Sequence, residues 1–487
     1  MSSTPIARHR TALRRPELSR PLRLSIENGL INQDTNVFDY GCGQGDDLRH
    51  LRSQGIACAG WDPVYRPETQ RDLADIVNLG YVINVIENPM ERTSVLREAW
   101  SLTKKLLVIS ARLTVEAKET NQIRYEDGWL TRTGTFQRYY EQHELRDWID
   151  SVLDVSSLPA APGIFYVFRD DELRQSFVAS RYRRRTAAPR QKRSDILFEQ
   201  YKTLLEPLME FVASRGRLPD DSELNVVPLI RNELRSLNRA FDVIRRVTGA
   251  EQWKRIREDR TQDLLIYLAL ARFGGRPRFS QLSCSLQLDV RAFFSTYNRA
   301  CVKADELLFA AGNRELLDEA YRSGSVGKLT PSALYVHITA LAHLPPVLRV
   351  YEGCARAYIG AVEGANIIKL HRNTPQVSYL SYPKFERDPH PALAASLVVH
   401  LQTFRVQYRE YTHSKNPPIL HRKEEFIPTD HSLREKFARL TLQEERWHLY
   451  DKPELIGTRE GWQGVLDEHG VRLSGYRLKR KFPQETS

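Results

Sequence analysis

An apolar strand that runs straight into glycines at alternate positions, and from there into a helix, allows few folds. Residues 36–48 read NVFDYGCGQGDDL, with Gly41, Gly43 and Gly45 two apart. Glycine takes positive φ at no steric cost, and without a Cβ it lets a bound molecule come close to the main chain. DDLRHLRSQG then carries a helical pattern that Gly55 closes. IACAGWDP reads as a second strand stopping at Asp62 and Pro63, and ADIVNLGYVINVI as a third apolar stretch, too continuous for a surface strand. ENPMERTSVLREAWSLTK follows as a helix with Pro89 in its opening turn, and KLLVISA as a fourth strand. GTFQRYYEQHELRDWIDSVL predicts one more helix, and GIFYVFRD a closing strand. Strand alternating with helix predicts a doubly wound α/β domain around a parallel sheet, ending near residue 170.

A chain of 487 residues, 41% hydrophobic and 9% aromatic, has material for two or three globular domains. The expected organisation is a basic N-terminal segment (1–30), the α/β domain (31–170), a basic linker (171–195), a helical domain (196–322) and a mixed C-terminal region (323–487). Apolar residues three and four apart in LFEQYKTLLEPLMEFV and DLLIYLALARFG mark the helical domain. No apolar run approaches the roughly 18 residues that cross a bilayer, and no apolar core follows the Arg-rich start, so a soluble, cytoplasmic protein without a membrane partner is expected. The five cysteines (Cys42, Cys58, Cys284, Cys301, Cys354) form no CxxC pair. His371, His390, His400, His413, His421 and His431 lack a spacing such as HExxH, and no metal site is predicted.

The net charge of +11 is unevenly spread. ARHRTALRRPELSRPLR holds Arg8, Arg10, Arg14, Arg15, Arg20 and Arg23 against Glu17 alone. SRYRRRTAAPRQKR holds Arg181, Arg183, Arg184, Arg185, Arg190, Lys192 and Arg193 with no acid, and RLKRK lies near the C-terminus. Such clusters predict phosphate contacts along a nucleic acid, which gain affinity by releasing counterions. A solvated surface and flexible linker is the competing reading.

A dinucleotide fold calls for GxGxxG. The spacing here is GxGxG with Asp39 two residues ahead, which resembles the first motif of class I S-adenosylmethionine methyltransferases. The resemblance implies S-adenosyl-L-methionine as cofactor, held by Asp39, Gly41, Cys42, Gly43, Gly45, Asp62, Pro63, Asn78 and Gly80, with Asp39 facing its ammonium group. Asp62 closes the next strand at the distance where such folds set a carboxylate on ribose hydroxyls. Only RPETQRDLA separates that strand from the next, so the core is abbreviated, and Asp72, Leu73 or C-terminal regions are expected to cover the adenine.

Over nearly the whole chain, VFDYGCGQGDDLRHL, GWDP, ADIVNLGYVINVIENP, ISARL, LYVHITALAHLPPVLRVYEG, NPPILHRKEEF and IGTREGW resemble the methyltransferase family associated with DNA phosphorothioation. That resemblance implies a setting in bacterial defence against foreign DNA, with proteins of the phosphorothioation system as partners. NLGY (Asn78–Tyr81) stands where amino-methyltransferases of DNA carry (N/D)PP(Y/F/W), in which the Asn accepts from an exocyclic amine and the aromatic ring stacks on an extruded base. Asn78 and Tyr81 are therefore the catalytic candidates, against the alternative of a loop that only contacts cofactor. Asn416–Ile419 spell NPPI, but follow no apolar strand and predict a turn. A thiolate route to cytosine C5 lacks a cysteine near this strand end. Three readings stand: a nucleic-acid methyltransferase (DNA first, RNA second), a non-catalytic accessory subunit that binds cofactor or DNA, and a methyltransferase for a small molecule or protein.

Overall fold

The computed structural model describes residues 6–12, 14–117, 123–191 and 195–480. Two compact units emerge. Met1–Asp170, Val326–Ile338 and Cys354–Ser487 make up the first, and Asp171–Ser325 with Thr339–Gly353 the second.

In the first unit a 3-10 turn (Arg8–Thr11) and helix α1 (Arg20–Glu27) precede β1 (Asn36–Tyr40), α2 (Asp46–Ser53), β2 (Ala57–Trp61), β3 (Ala74–Gly80), α3 (Pro89–Ser101) and β4 (Thr103–Ser110). Helix α3 starts where the sequence signals it: the Asn88 side chain accepts from the Met90 and Glu91 amides, and Pro89 takes the first turn. Next come three short strands, β5 (Ile123–Tyr125), β6 (Gly128–Leu130) and β7 (Phe136–Gln137), then α4 (Gln142–Leu153), β8 (Leu158–Ala161) and β9 (Ile164–Phe168). The helix expected from Gly134 onward thus begins only at Gln142. Phe136 pairs with Leu130 instead, and its ring fills the space that Gly128, lacking a Cβ, leaves open.

The main sheet runs β2-β1-β3-β4-β9-β8. β1 to β4 are parallel, as the alternation of strand and helix predicts, but the closing strand β9 is antiparallel to β4, and β8, absent from the expected strands, is antiparallel to β9. Pro162 and Gly163 alone join β8 to β9, and two residues can close a hairpin but not a crossover. Phe38, Val77, Leu79, Leu107, Ile109, Phe165 and Val167 pack with Leu96 and Ala99 of α3 and Leu145 and Ile149 of α4. On the other face the Tyr166 hydroxyl meets Ser25 Oγ (3.2 Å) and Asn28 Nδ2 (3.0 Å) at α1. Burial on both faces explains the unbroken apolar runs. Beyond β2 the described residues 62–73 hold only a β-bridge, Asp62 to Arg66, so β2 is an edge.

The stretch expected as a basic linker opens instead as a helix, α5 (Asp171–Tyr182), because Gln175, Phe177 and Ala179 give it a buried face. With α6 (Ile196–Gln200), α7 (Lys202–Arg215), α8 (Val227–Leu234), α9 (Leu237–Thr248), α10 (Ala250–Leu270), α11 (Cys284–Phe294), α12 (Tyr297–Ala310) and α13 (Arg314–Ser323) it builds the second unit.

The later part of the first unit holds an antiparallel sheet of six strands, β10 (Lys328–Leu329), β11 (Ala333–His337), β12 (Ile367–His371), β13 (Gln376–Ser381), β14 (Ala395–His400) and β15 (Val406–Glu410). It is tied to the main sheet at the edge strand β8, where the Ala361 amide donates to the Ala160 carbonyl at 2.8 Å. Arg20 adds an ion pair to Glu363 at 2.8 Å.

Candidate functional site

Strand order reverses between β2 and β3 on the two sides of β1, and outside the C-terminal ends of these strands lies a cavity of about 260 Å³. Such switch points are where open α/β sheets take ligands. The glycine loop forms its floor. Gly41, Gly43 and Gly45 have φ of 83°, 52° and 79°, the left-handed region that residues with a Cβ avoid. At Gly41 a Cβ would also come within 2.5 Å of Val82 Cγ2. The loop is fastened to the end of β2, since the Gly41 amide donates to the Trp61 carbonyl (2.8 Å) and the Gly43 amide to Asp62 Oδ2 (3.0 Å).

Asp39, Gly41, Cys42, Gly43, Asp62, Pro63, Asn78, Gly80 and Tyr81 all line the cavity. Gly45 stands one step back, covered by the Arg66 guanidinium, and starts α2. Asp39 is 4% exposed. Burial first, then the neighbouring Asp47 carboxylate, pushes its pKa up to about 7 against the opposing pull of the Asn78 amide and Arg15. Asp62 Oδ1 accepts from the Val64 and Tyr65 amides (2.9 and 3.0 Å), which with Gly43 makes three bonds. A carboxylate has about four acceptor sites, so one remains for a ligand hydroxyl. Cys42 is no nucleophile: burial and the charges of Asp39 and Asp62 push its thiol up to about 12.

The two catalytic candidates play different parts. Asn78 Nδ2 donates to Asp39 Oδ1 at 2.8 Å, so the amide is committed to the floor, and its buried Oδ1 has no hydrogen-bond partner. Tyr81 stands at the turn after β3 with φ of 59°, a conformation strained for a side chain of this size. Its amide is held by the Ser110 carbonyl (3.0 Å) and hydroxyl (3.1 Å). Burial raises the phenol's pKa, so Tyr81 offers a hydrogen-bond donor rather than a base.

The sequence reading missed the roof. Arg8, Thr11, Ala12 and Arg15 of the N-terminal segment line the same cavity. Arg8 forks onto Glu87 (2.8 and 2.9 Å) and Glu91 (2.6 and 2.7 Å). The Arg15 amide donates to Asp46 Oδ2 and the Ser19 amide to Asp47 Oδ1, both at 2.7 Å. Asp46 and Asp47 therefore anchor this strap as well as opening α2. A pair of acids four apart, Glu87 and Glu91, was the available signal. The aromatic wall was missed too: Tyr40 and Trp61, ring centroids 5.1 Å apart, face the cavity beside Tyr65. From the short connection after β2, Val64 and Tyr65 join Asp62 and Pro63 in lining the cavity, whereas Asp72 and Leu73 do not line it.

The basic clusters are largely paired within the chain. Arg184 is bound to Asp259 and Asp263, Arg183 faces Asp289 at 3.9 Å, and Arg181 stacks on Phe177 at 4.5 Å. Arg184 is thus committed to carboxylates instead of standing open to phosphate, Arg183 keeps only a long contact with a third of its side chain exposed, and Arg185 and Arg190 are exposed. Lys192 and Arg193 lie outside the described residues. In the NPPI stretch Pro418 bridges to Thr458 and Ile419 to Ala392, so the expected turn is a short paired segment. Among the described residues no group of three or more His, Cys, Asp or Glu could hold a metal, and no helix is long and apolar enough to cross a membrane.

No family model and no curated protein matches the chain. Among solved structures it resembles a sugar N-methyltransferase from a Streptoalloteichus species, at 12% identity over 34% of this chain and 87% of that one, with a TM-score of 0.24. It also resembles a Burkholderia thailandensis 1,6-didemethyltoxoflavin-N1-methyltransferase with bound S-adenosylhomocysteine (14% identity, 33% and 76% covered, TM-score 0.24). An amino pentose methyltransferase from Micromonospora echinaspora with S-adenosylmethionine bound is a third likeness (13%, 31% and 88%, TM-score 0.22).

Proposed function

We propose that this chain is an S-adenosylmethionine-dependent methyltransferase whose cofactor lies between the glycine loop and Tyr81. The observation that carries this reading is a buried acid, Asp39, whose charge is disfavoured by burial and by Asp47, set beside a loop of left-handed glycines. A sulfonium ligand with an ammonium group fits that need, whereas a dinucleotide brings a pyrophosphate that Asp39 would repel. When bound, the cofactor supplies a methyl group on a positively charged sulfur. Asp39 would neutralise its ammonium, Asp62 would accept a ribose hydroxyl, and Tyr40 and Trp61 would supply apolar surface. The main contribution to a displacement of this kind is alignment of an acceptor with the methyl group. Tyr81, fixed through its amide, is the residue to orient that acceptor, while the strap keeps water out.

Isothermal titration with S-adenosylmethionine tests the cofactor. The wild type is expected to bind, and Gly41→Ala to lose at least tenfold in affinity, because its Cβ meets Val82 at 2.5 Å. No binding by the folded wild type would defeat the proposal.

For the acceptor we infer nucleic acid, DNA ahead of RNA, in a defence system linked to DNA phosphorothioation. Support comes from the sequence motifs and from the exposed Arg185 and Arg190. A small-molecule acceptor is favoured by another observation, the strap across the cleft with Arg8 consumed by Glu87 and Glu91. Transfer of labelled methyl to separated DNA, tRNA, protein and small-molecule fractions distinguishes the two.

A further inference from the structure

We propose that the second unit binds one phosphate-class oxyanion between Arg183, Arg215 and Arg260, a site independent of the glycine-loop cleft. There the end of α5, the end of α7, the middle of α10 and α11 surround a cavity of about 20 Å³, beside the exposed Ser214. Two carboxylates, Asp263 and Asp289, share its lining with the three guanidiniums.

Those carboxylates are oversubscribed. Asp263 accepts from the Arg184 amide (2.9 Å), Arg260 Nη1 (3.1 Å) and Arg349 Nη1 (2.7 Å), with Arg184 Nε at 3.2 Å. Asp289 accepts from Arg217 Nε (2.7 Å), with Arg215 Nη2 at 2.9 Å and Arg183 Nη2 at 3.9 Å. Each acid thus faces three guanidiniums. Some of these have further partners: Arg217 has Glu223, Arg184 has Asp259, and Arg260 and Arg349 donate to main-chain carbonyls. Among the described residues Arg183 and Arg215 have Asp289 as their one ion-pair contact, with Asp263 and Glu223 acting on them only from farther off.

Arg215 carries the deficit. Its side chain is 11% exposed, and neither Nε nor Nη2 makes a hydrogen bond, the Asp289 contact lacking the alignment for one. Burial pushes Arg215 down to about 10 and lowers Arg183 as well. Buried cations in excess of their anions are unfavourable, and donors left unmade add to it. Water could accept from Nε, and the cavity exceeds the roughly 10–15 Å³ that one water needs, but water leaves the charge uncompensated. An oxyanion answers both needs by seating one oxygen, about the size of a water, in the cavity against Arg215 Nε, with its remaining oxygens at the mouth beside Ser214, where Arg183, 33% exposed, closes on it.

Thermal unfolding of the full chain tests this, with sodium phosphate replacing sodium chloride at constant ionic strength. A 5′-phosphorylated dinucleotide is compared with its unphosphorylated form. At phosphate tenfold above half-saturation the midpoint should rise by about 3 °C. Arg183→Gln and Arg215→Gln should abolish the rise. Ser214→Glu, at an exposed position, puts a carboxylate at the mouth and should abolish it without disturbing the fold. A response to inorganic phosphate supports a site for the free ion, and a response to the phosphorylated dinucleotide alone supports one for a phosphate on a nucleotide chain. Equal midpoints in phosphate and chloride with no dinucleotide effect, or equal responses in the wild type and all three variants, would overturn the proposal.

Discussion

Burial sets the Asp39 carboxyl where its charge is unfavourable. Its folded pKa of about 7 lies above the unfolded value, so the folded chain holds the proton more tightly. Without ligand, stability should be greatest below about pH 4 as far as this residue is concerned, and fall as pH climbs to about 7. Asp39→Asn removes that slope; in urea titrations above pH 7 it should be more stable than the wild type while binding S-adenosylmethionine far more weakly. A cationic ligand favours the ionised carboxylate, so wild-type affinity should drop up to roughly tenfold for each pH unit below about 7. Calorimetry in buffers of differing ionisation enthalpy should register proton release, and affinity flat from pH 5 to 8 would contradict the role given to Asp39. Tyr81 makes a second test at this scale. Its φ of 59° suits glycine, so Tyr81→Gly should be more stable than Tyr81→Ala by about 1 kcal/mol in denaturant titrations. Equal stabilities would mean that the strain is relieved elsewhere.

Among the elements, the strap should set how long cofactor stays. Arg8 is 38% exposed, so its pairs with Glu87 and Glu91 are screened, worth about 1 kcal/mol together. Glu87→Gln with Glu91→Gln should raise the S-adenosylmethionine dissociation rate roughly fivefold in stopped-flow measurements. High salt should do the same to the wild type but not to the double variant. A rate unmoved by either change would make the strap a fixed wall. What was legible here follows from range. β1 to β4, α2 and α3 are written in local periodicity and caps, and the floor residues sit at their ends. The strap was not, because Arg8 meets partners 79 and 83 residues away, and nothing local distinguishes an arginine bound for a carboxylate from one bound for phosphate. The start of α4 was lost for a similar reason, since Phe136 answers to Gly128 across a strand pair rather than to a helical face.

At the scale of the molecule the net charge of +11 outlasts every internal pair, since each pair removes one charge of each sign, but the arginine clusters say less about partners than they promised, because Arg8, Arg20 and Arg184 are turned to carboxylates. Arg184, 15% exposed and bonded to Asp259 and Asp263, should behave as a structural residue. Arg184→Gln should destabilise the second unit by about 1 kcal/mol, since Asp263 keeps Arg260 and Arg349 and Asp259 is open to water. Arg185→Gln with Arg190→Gln should leave unfolding unchanged, yet reduce the slope of log affinity for DNA against log salt by about 2. An unchanged slope would remove these two residues from any nucleic-acid surface. The antiparallel sheet from Lys328 to Glu410 was the least legible part: its short strands pair across turns and loops whose lengths follow no single repeat.

The tie between Ala361 and Ala160 at strand β8 also bears on how the protein is made. A ribosome adding about 5–20 residues per second delivers Ala361 roughly ten to forty seconds after Asp170. For that interval the nascent chain carries a nearly finished sheet with an open edge while it synthesises the helices between. Such an edge is a template for pairing with other chains. That edge is therefore open while translation continues, and chaperones that bind emerging chains would find their substrate there.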